Sequence, residues 1–434
     1  MKALGLDIGT TTVSAVVVEN RKVLSSLTLK NDSFLPTDHS WEKIQNPNYI
    51  REVAFQAVSA LLEQHPDVER IGITGQMHGI VYLDDKGNSV SPLYTWQDGR
   101  GDQSYTDGKS YAVYLSELTG YSLATGFGMV THFYNLKNDL IPENASVFST
   151  IHDYIAMLLA GNTVPVTDAS DAASLGVFQI EQGCFDKAAL EKAGIETAIL
   201  PIVAEEACVG NYQGKIPVYV AIGDNQASFL GATGGEVNAI LVNVGTGSQF
   251  SAYTKEYLTC TGLETRPFPG GYLLVGASLC GGRAYALLEK FFRDAIYAMA
   301  GEEVDSCYDG MNRLLELGRP EDVPNLVPLF QGTRQEPSLR GSITGLSTEN
   351  FSPRHLVWAT LEGMSSELHG MYLQYLNAGG KPAKLIGSGN GLRKNTHLQN
   401  CFTKLFEQPL AMSECTEEAA TGAALYAQQQ HINP

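Results

Sequence analysis

Two apolar stretches lie close together near the start of the chain, and a short polar turn separates them. Residues 4–8 read LGLDI and residues 13–18 read VSAVVV, with Gly9 and three threonines between them. Apolar runs on both sides of a glycine-containing turn are typical of a β-hairpin. We therefore predict a hairpin whose tight turn exposes backbone N–H groups.

Amphipathic helices follow this hairpin. Apolar residues recur at helical spacing in both halves of the chain: Val53, Ala57, Val58, Leu61 and Leu62, then Ala284, Leu287, Leu288, Phe291 and Ala295. A strand that ends at Thr74 follows the first of these helices. Further helices are predicted to begin at Pro353, after Ser352, and just beyond Thr416. Strands that alternate with amphipathic helices predict layered α/β domains.

The hairpin pattern recurs once. Residues 6–12 read LDIGTTT and residues 242–248 read VNVGTGS, and a strand-like segment follows each copy. This repeat indicates a duplicated α/β unit, with domains over residues 1–231 and 232–434. Short glycine and threonine similarities also arise by chance, which is the alternative interpretation.

The two turns of this repeat suit phosphate binding. Main-chain N–H groups and short hydroxyls can converge there on an anion without side-chain bulk. The residues concerned are Thr10, Thr11, Thr12, Gly245, Thr246 and Gly247. Asp7 in the first copy corresponds to Asn243 in the second, and a carboxylate at only one turn suits a single Mg²⁺. The alternative is two ordinary turns, where these residue types are common.

Polar residues form two candidate clusters for a sugar or another polyol. Gln76, Met77 and His78 follow a predicted strand, and ligands bind beyond such strand ends in α/β sheets. Trp96 and Asp98 lie within six residues that also supply an amide and a guanidinium. A structural histidine and a surface turn with an ion pair are the alternatives.

Two later glycine turns complete the candidate site. Residues 222–228 read IGDNQAS, and Asp224 there can deprotonate a sugar hydroxyl, or it can cap the helix that follows. Gly387 and Gly389 follow the strand-like residues 384–386. A glycine turn at that place lets a flat ring approach the backbone closely, although a plain turn is the alternative.

Composition narrows the class of protein. A chain of 434 residues favours two domains, and a formal net charge of −18 argues against nucleic acid or an anionic membrane surface as partner. We therefore expect backbone amides and a metal to be the main groups that hold any bound phosphate. Seven cysteines lack metal-ligand spacing, and the chain shows neither a signal segment nor an eighteen-residue apolar run. We expect a cytoplasmic protein that does not span a membrane.

The motifs around Asp7, 76–79, 98–100, 223–225, 245–247 and 387 stand in the order found in FGGY carbohydrate kinases. The chain resembles this family over essentially its whole length. The resemblance implies two ribonuclease-H-like α/β domains, related to actin and the heat-shock ATPases. These domains flank a cleft and close over MgATP and a sugar.

The same resemblance implies a role for each candidate residue. Asp224 corresponds to the catalytic base, and the metal-binding carboxylates are those of Asp7 and Asp224. The implied nucleotide contacts are Thr10, Thr11, Thr12, Gly245, Thr246, Gly247, Gly387 and Gly389. The implied sugar contacts are Gln76, Met77, His78, Trp96, Asp98 and Asn225.

Within the family, the segments 95–100, 124–128, 150–154 and 223–228 resemble those of sedoheptulokinases. Gln97 stands where xylulokinases usually carry asparagine, so we expect a ketose kinase whose substrate is sedoheptulose. Xylulose or another polyol is the alternative substrate. A non-catalytic sugar sensor and an actin-like ATPase are alternatives from other classes. The oligomeric state stays open, with a homodimer as one alternative.

Overall fold

The computed structural model describes residues 1–333, 336 and 338–430. The chain divides into two compact units. The first comprises residues 1–236, residues 266–269 and the C-terminal residues from 415 onward, and the second comprises residues 237–265 and 270–414. The predicted domain boundary after residue 231 stays a prediction.

The helices and strands alternate along the chain, as the hydrophobic pattern predicts. The α-helices are α1 (Pro47–Gln64), α2 (Tyr111–Thr119), α3 (Gly128–Lys137), α4 (Ile151–Leu159), α5 (Ala169–Leu175), α6 (Lys187–Ala193), α7 (Asp224–Ala232), α8 (Gly281–Ala300), α9 (Tyr308–Glu316), α10 (Pro353–Asn377), α11 (Asn390–Arg393), α12 (Thr396–Leu405) and α13 (Glu418–Gln429). The strands are β1 (Lys2–Ile8), β2 (Thr12–Glu19), β3 (Lys22–Lys30), β4 (Ile44–Gln45), β5 (Arg70–Gly75), β6 (Val81–Leu83), β7 (Leu93–Tyr94), β8 (Ser104–Thr106), β9 (Lys109–Ser110), β10 (Val147–Ser149), β11 (Val166–Thr167), β12 (Phe178–Gln179), β13 (Cys184–Phe185), β14 (Ile202–Val203), β15 (Cys208–Tyr212), β16 (Ile216–Tyr219), β17 (Ile222–Gly223), β18 (Ala239–Val244), β19 (Ser248–Thr254), β20 (Glu264–Phe268), β21 (Gly271–Ser278), β22 (Asn325–Val327), β23 (Ser342–Thr344), β24 (Lys384–Ser388) and β25 (Ala411–Met412).

The main sheet of the first unit is built around the predicted hairpin. Its strand order is β15–β16–β5–β1–β2–β3, and β17 also pairs with β5. β1 and β2 are antiparallel, with Ile8 opposite Val13, which confirms the hairpin. β5 runs parallel to β1, with Thr74 beside Asp7. Strands β1 and β5 therefore end at the same edge of the sheet.

Helices cover both faces of this sheet, so β1 and β2 are apolar on both sides. Helix α1 packs into one core cluster with β1 and β5, and α13 packs against Ala3, Val16 and Val18 on the other face. Gly5 is required for this second contact, because a Cβ there would overlap the carbonyl oxygen of Ala420. The C-terminal helix therefore completes the first unit.

The second unit has its own sheet and core. Strands β21, β19, β18, β24 and β25 lie side by side in that order. Asn243 on β18 lies beside Ser388 on β24, in a parallel pair. Helices α8, α10 and α12 pack around Phe250 and Leu385 in one apolar cluster. No helix in the described part of the chain is long and apolar enough to cross a membrane.

Candidate active site

Two carboxylates follow neighbouring strand ends in the first unit. Gly75, the last residue of β5, pairs with Ile8 on one side and with Gly223 on the other. Asp7 and Asp224 are the residues next to these two partners in the chain. The sheet therefore brings together the two side chains that the sequence proposes as metal ligands.

Both carboxyl groups have raised pKa values. Burial, and after it the nearby Asp224 charge, raise the pKa of Asp7 from its ordinary value of 3.8 to about 7, against the lowering effect of His152. Burial also raises the pKa of Asp224, against the lowering effects of Arg266 and His152. Two neighbouring half-buried carboxylates that resist ionisation form a favourable place for a cation.

Asp224 does not cap the helix that it begins. The cap position of α7 is Gly223, and no side chain makes a capping hydrogen bond there. The interpretation of Asp224 as a helix cap is therefore wrong. The chain before Asp224 forms two short strands, since β16 ends at Tyr219 and β17 begins at Ile222.

The first Gly-Thr turn contacts the first sugar-type cluster. Gly9 N donates to Thr12 O over 2.9 Å and closes the turn, while Thr11 and Thr12 are exposed. Thr10 Oγ1 donates to Gln76 Oε1 over 3.3 Å and accepts from Trp96 Nε1 over 3.1 Å. Three residues predicted from separate stretches of sequence thus meet at one hydroxyl.

Gln45 supports this contact, and sequence reasoning missed it. Its Nε2 donates to Thr10 O over 2.8 Å, and its Oε1 accepts from Gln76 Nε2 over 2.9 Å. The side chain is fully buried. A lone glutamine in a two-residue strand carries no local signal, so only the tertiary structure reveals its role.

Met77 lies beside the Asp224 turn, and the adjacent His78 contacts Ser174 and Phe127. Met77 is buried, and a Cβ on Gly223 would come within 2.6 Å of its Cε. His78 has a φ of 73°, an unusual backbone conformation for a residue with a side chain. Its Nδ1 donates to Ser174 O over 2.7 Å, and its ring lies 4.7 Å from that of Phe127. Such backbone strain in a polar cluster is typical of ligand sites.

Asp98 and Trp96 differ in their surroundings, although they are two residues apart. Asp98 is fully buried, and its carboxylate accepts from Arg100 Nε over 2.6 Å and from Lys43 N over 3.0 Å. Trp96 is 46% exposed. Asp98 therefore fixes the turn that presents Trp96, and its direct contact with a sugar stays a prediction.

Asn225 contributes a hydrogen-bond acceptor to the candidate site. Its side-chain oxygen is buried and has no hydrogen-bond partner among the residues that the structure describes. A buried acceptor without a partner costs free energy unless a ligand or water donates to it.

The second Gly-Thr turn and the Gly387 loop meet in the second unit. Asn243 Nδ2 donates to Ser388 Oγ over 2.6 Å, which joins the ends of β18 and β24. Gly245 N donates to Gly247 O over 2.9 Å and closes the turn. Gly389 has a φ of 86°, and a Cβ there would lie 2.5 Å from Val244 O. The predicted nucleotide residues of this unit thus lie at adjacent strand ends.

Helix α8 begins against this turn. Gly282 N donates to Gly245 O over 2.9 Å, and Arg283 N donates to Thr246 O over 3.0 Å. Beside the helix lies a cavity of about 400 Å³, lined by Arg283, Ala286, Leu287, Glu289, Lys290, Arg293, Asp305, Ser306 and Tyr308. Sequence reasoning missed this cavity, because its walls come from separate segments.

Comparisons with known proteins identify the class. The N-terminal-domain model of the FGGY family of carbohydrate kinases matches residues 2–231, and the C-terminal-domain model matches residues 240–429. The chain therefore belongs to the FGGY family of carbohydrate kinases. It is an ATP-dependent sugar phosphotransferase, as predicted, and the sensor and actin-like ATPase alternatives do not fit this membership.

Individual relatives and solved structures show which members of the family the chain is similar to. Sedoheptulokinase of Mus musculus is 29% identical, over 99% of this chain and 98% of its own length. Xylulose kinase of Bacillus subtilis (strain 168) is 23% identical, over 98% of this chain and 87% of its own. Among solved structures, xylulose kinase of Rhodospirillum rubrum matches with a TM-score of 0.83 at 20% identity, over 100% of this chain and 91% of its own. This likeness confirms the predicted two-domain α/β fold of sugar kinases and actin-like ATPases.

Proposed function

We propose that this kinase transfers the γ-phosphoryl group of ATP to a ketose, and that sedoheptulose is its substrate, giving sedoheptulose 7-phosphate. The observation that carries the chemistry is the pair of carboxylates, Asp7 and Asp224, at neighbouring strand ends beside the Thr10, Gln76 and Trp96 contact. The choice of sugar is supported by the likeness to sedoheptulokinase, which extends over the whole chain.

Asp224 acts as the general base. Phosphoryl transfer has a loose transition state, so the protein contributes alignment and charge stabilisation more than covalent chemistry. Asp224 begins α7 and follows the end of β17, where a hydroxyl of a bound sugar can approach its carboxylate. The side chain accepts the proton that this hydroxyl loses.

Asp7 and Asp224 also fit a bound Mg²⁺. Their raised pKa values report half-buried negative charge with little compensation, and a divalent cation would supply that compensation. A Mg²⁺ ion held by these two carboxylates would supply positive charge to the β- and γ-phosphates of ATP. The second turn carries Asn243 in place of aspartate, and this amide is engaged by Ser388. The metal-binding carboxylates thus belong to the first unit.

The other proposed contacts, to the phosphates, the adenosine and the sugar, come from residues of both units. Thr10, Thr11 and Thr12 in the first unit, and Gly245, Thr246 and Gly247 in the second, hold phosphates through backbone N–H groups and hydroxyls. Gly387 and Gly389 give adenosine a surface without side chains. Gln76, Met77, His78, Trp96 and Asn225 contact the sugar, and Asp98 acts through the turn that it holds.

A panel of ketoses and polyols tests this function. The protein is incubated with ATP, Mg²⁺ and each sugar, and both ADP release and the position of the new phosphate are measured. We expect turnover that depends on a ketose, with phosphate on a terminal hydroxyl. ADP release that no sugar stimulates would contradict the proposal. Exclusive turnover of a pentulose would support the kinase chemistry. The proposed substrate would then be xylulose instead of sedoheptulose.

A further inference from the structure

An arginine from a later part of the sequence lies in the first unit, near Asp224. Arg266 is on β20, within the short segment 266–269 that belongs to the first unit, although the residues on both sides of this segment belong to the second. The residue is half-buried. Because the chain has a formal net charge of −18, the negative phosphates of ATP require positive charge that is placed locally.

Helix α7 holds the segment 266–269 in place. Gln226, the third residue of the helix, is fully buried, and its Nε2 donates to Pro267 O over 2.9 Å. The ring of Phe268 packs edge-on against that of Phe229, and the ring centroids are 5.5 Å apart. The helix that begins with the proposed base therefore also fixes the backbone that follows Arg266.

The positive charge of Arg266 acts on the carboxylate of Asp224. The two side chains interact through their charges and not through a hydrogen bond between them. His152 acts on Asp224 in the same sense, but an imidazole can lose its proton, whereas a guanidinium keeps its charge. Arg266 therefore provides permanent positive charge beside the proposed base.

Phosphoryl transfer places negative charge in the same region. The oxygen of the sugar hydroxyl forms a bond to the γ-phosphorus, and the hydroxyl proton goes to Asp224. The bond from this phosphorus to the β–γ bridging oxygen breaks, and ADP leaves with the electron pair. The γ-phosphoryl group thus becomes bonded to the oxygen that the base contacts, and its three equatorial oxygens carry the charge of a loose transition state. A guanidinium beside the base can donate to two of these oxygens at once.

We propose that Arg266 is a catalytic residue, whose guanidinium contacts the γ-phosphoryl group while this group is transferred to the sugar hydroxyl. This inference rests on the role proposed above for Asp224. The residues assigned to the reaction above include no arginine or lysine, so Arg266 adds a cationic side chain to the proposed site.

The variant Arg266→Ala tests the proposal. We expect kcat to fall by roughly 10² to 10³-fold, because one donor that stabilises transition-state charge typically contributes that much. The KM values for ATP and sugar should change less than about threefold, since the contact strengthens mainly in the transition state. Added guanidinium ion, well below the concentration that unfolds the protein, should raise the kcat of this variant at least about tenfold, because the ion restores the missing charge and donors.

Two variants serve as controls. Arg21 is exposed between β2 and β3, at the opposite end of β2 from the first Gly-Thr turn. We expect Arg21→Ala to keep kcat within about twofold of wild type, as surface substitutions usually do. Asp224→Asn should be slow with or without guanidinium, because it retains Arg266 and lacks the base. Circular dichroism and thermal unfolding show whether each variant is folded.

The proposal is overturned if folded Arg266→Ala keeps more than about a tenth of the wild-type kcat. A rise in the KM for sugar alone would make Arg266 a sugar contact, and a loss that guanidinium does not restore would make its role structural, so either result also contradicts the proposal. Should Arg266→Ala fail to fold, Arg266→Gln decides: a kcat at least about tenfold below wild type supports the proposal, and a smaller loss contradicts it.

The ratios are taken on the sugar that wild type uses best, or on sugar-independent ATP hydrolysis if it uses none. The γ-phosphoryl group is transferred in both reactions, so the role of Arg266 can be measured in either. A wrong substrate or a wrong function is thereby distinguished from a wrong role for Arg266.

Discussion

Trp96 donates a hydrogen bond from its indole nitrogen to Thr10 Oγ1 over 3.1 Å. The two residues are 86 positions apart, and the sequence assigns them to different ligands, one to the sugar and one to a phosphate. Their contact means that a single hydroxyl joins the proposed sugar pocket to the first phosphate turn. Substitutions at Thr10 should therefore affect both substrates.

Thr10→Val and Thr12→Val separate the two functions of the turn. Thr10 Oγ1 contacts Gln76 and Trp96, whereas Thr12 is exposed on the turn. Losing the hydroxyl of Thr10 should reduce the free energy of substrate binding by on the order of 1 kcal/mol for each lost hydrogen bond. We expect Thr10→Val to raise the KM for both sugar and ATP about five- to tenfold, and Thr12→Val to affect ATP alone. Steady-state kinetics with each substrate varied in turn give these values. A Thr10→Val enzyme with an unchanged KM for sugar would contradict the shared role.

Asp224→Asn removes the proposed base with little change in shape. We expect kcat to fall by roughly 10² to 10⁴-fold, because general-base catalysis typically contributes that much. The affinity for ATP should be nearly unchanged, since the proposed adenosine contacts, Gly387 and Gly389, lie in the second unit. Single-turnover transfer and equilibrium nucleotide binding measure the two effects separately. Near-normal transfer by a folded Asp224→Asn protein would refute the assignment.

Asp7 predicts how stability depends on pH. The pKa of Asp7 is raised from 3.8 when unfolded to about 7 when folded, so the folded state binds this proton more tightly. The favourable contribution of protonated Asp7 to the free energy of unfolding is complete below about pH 4 and is lost as the pH rises through about 7. Asp7→Asn should therefore raise the free energy of unfolding at pH 8 by about 1 to 3 kcal/mol, a discounted value because the residue is half-buried.

Urea unfolding of wild type and Asp7→Asn at pH 5 and pH 8, without Mg²⁺, measures this difference. The gain should be smaller at pH 5, where wild-type Asp7 is already protonated in the folded state. Equal or lower stability of Asp7→Asn at pH 8 would show that the ionised Asp7 carboxylate does not destabilise the folded state. A variant that is more stable but inactive is expected where a site is built for a bound cation.

Local patterns predicted the hairpin, the Gly-Thr turns and the starts of α10 and α13, since each depends on neighbouring residues. The environment of Asp98 could not be predicted in the same way, because Lys43 lies 55 residues away in the chain. His152 Nε2 on α4 lies 2.9 Å from Asp171 Oδ2 on α5, and this contact between two helices leaves no periodic pattern in the sequence. The place of α13 in the first unit likewise depends on a contact with Gly5 across almost the whole chain.

The most direct test of the central claim is a competition between sedoheptulose and D-xylulose in one reaction with limiting ATP. A site that hydrogen-bonds the two extra hydroxylated carbons can use that binding energy in the transition state, and the shorter sugar leaves those polar groups unpaired. Resolving the phosphorylated products by mass gives the ratio of kcat/KM values. We predict that sedoheptulose 7-phosphate is in clear excess. A preference of about tenfold or more for xylulose would contradict the proposed substrate.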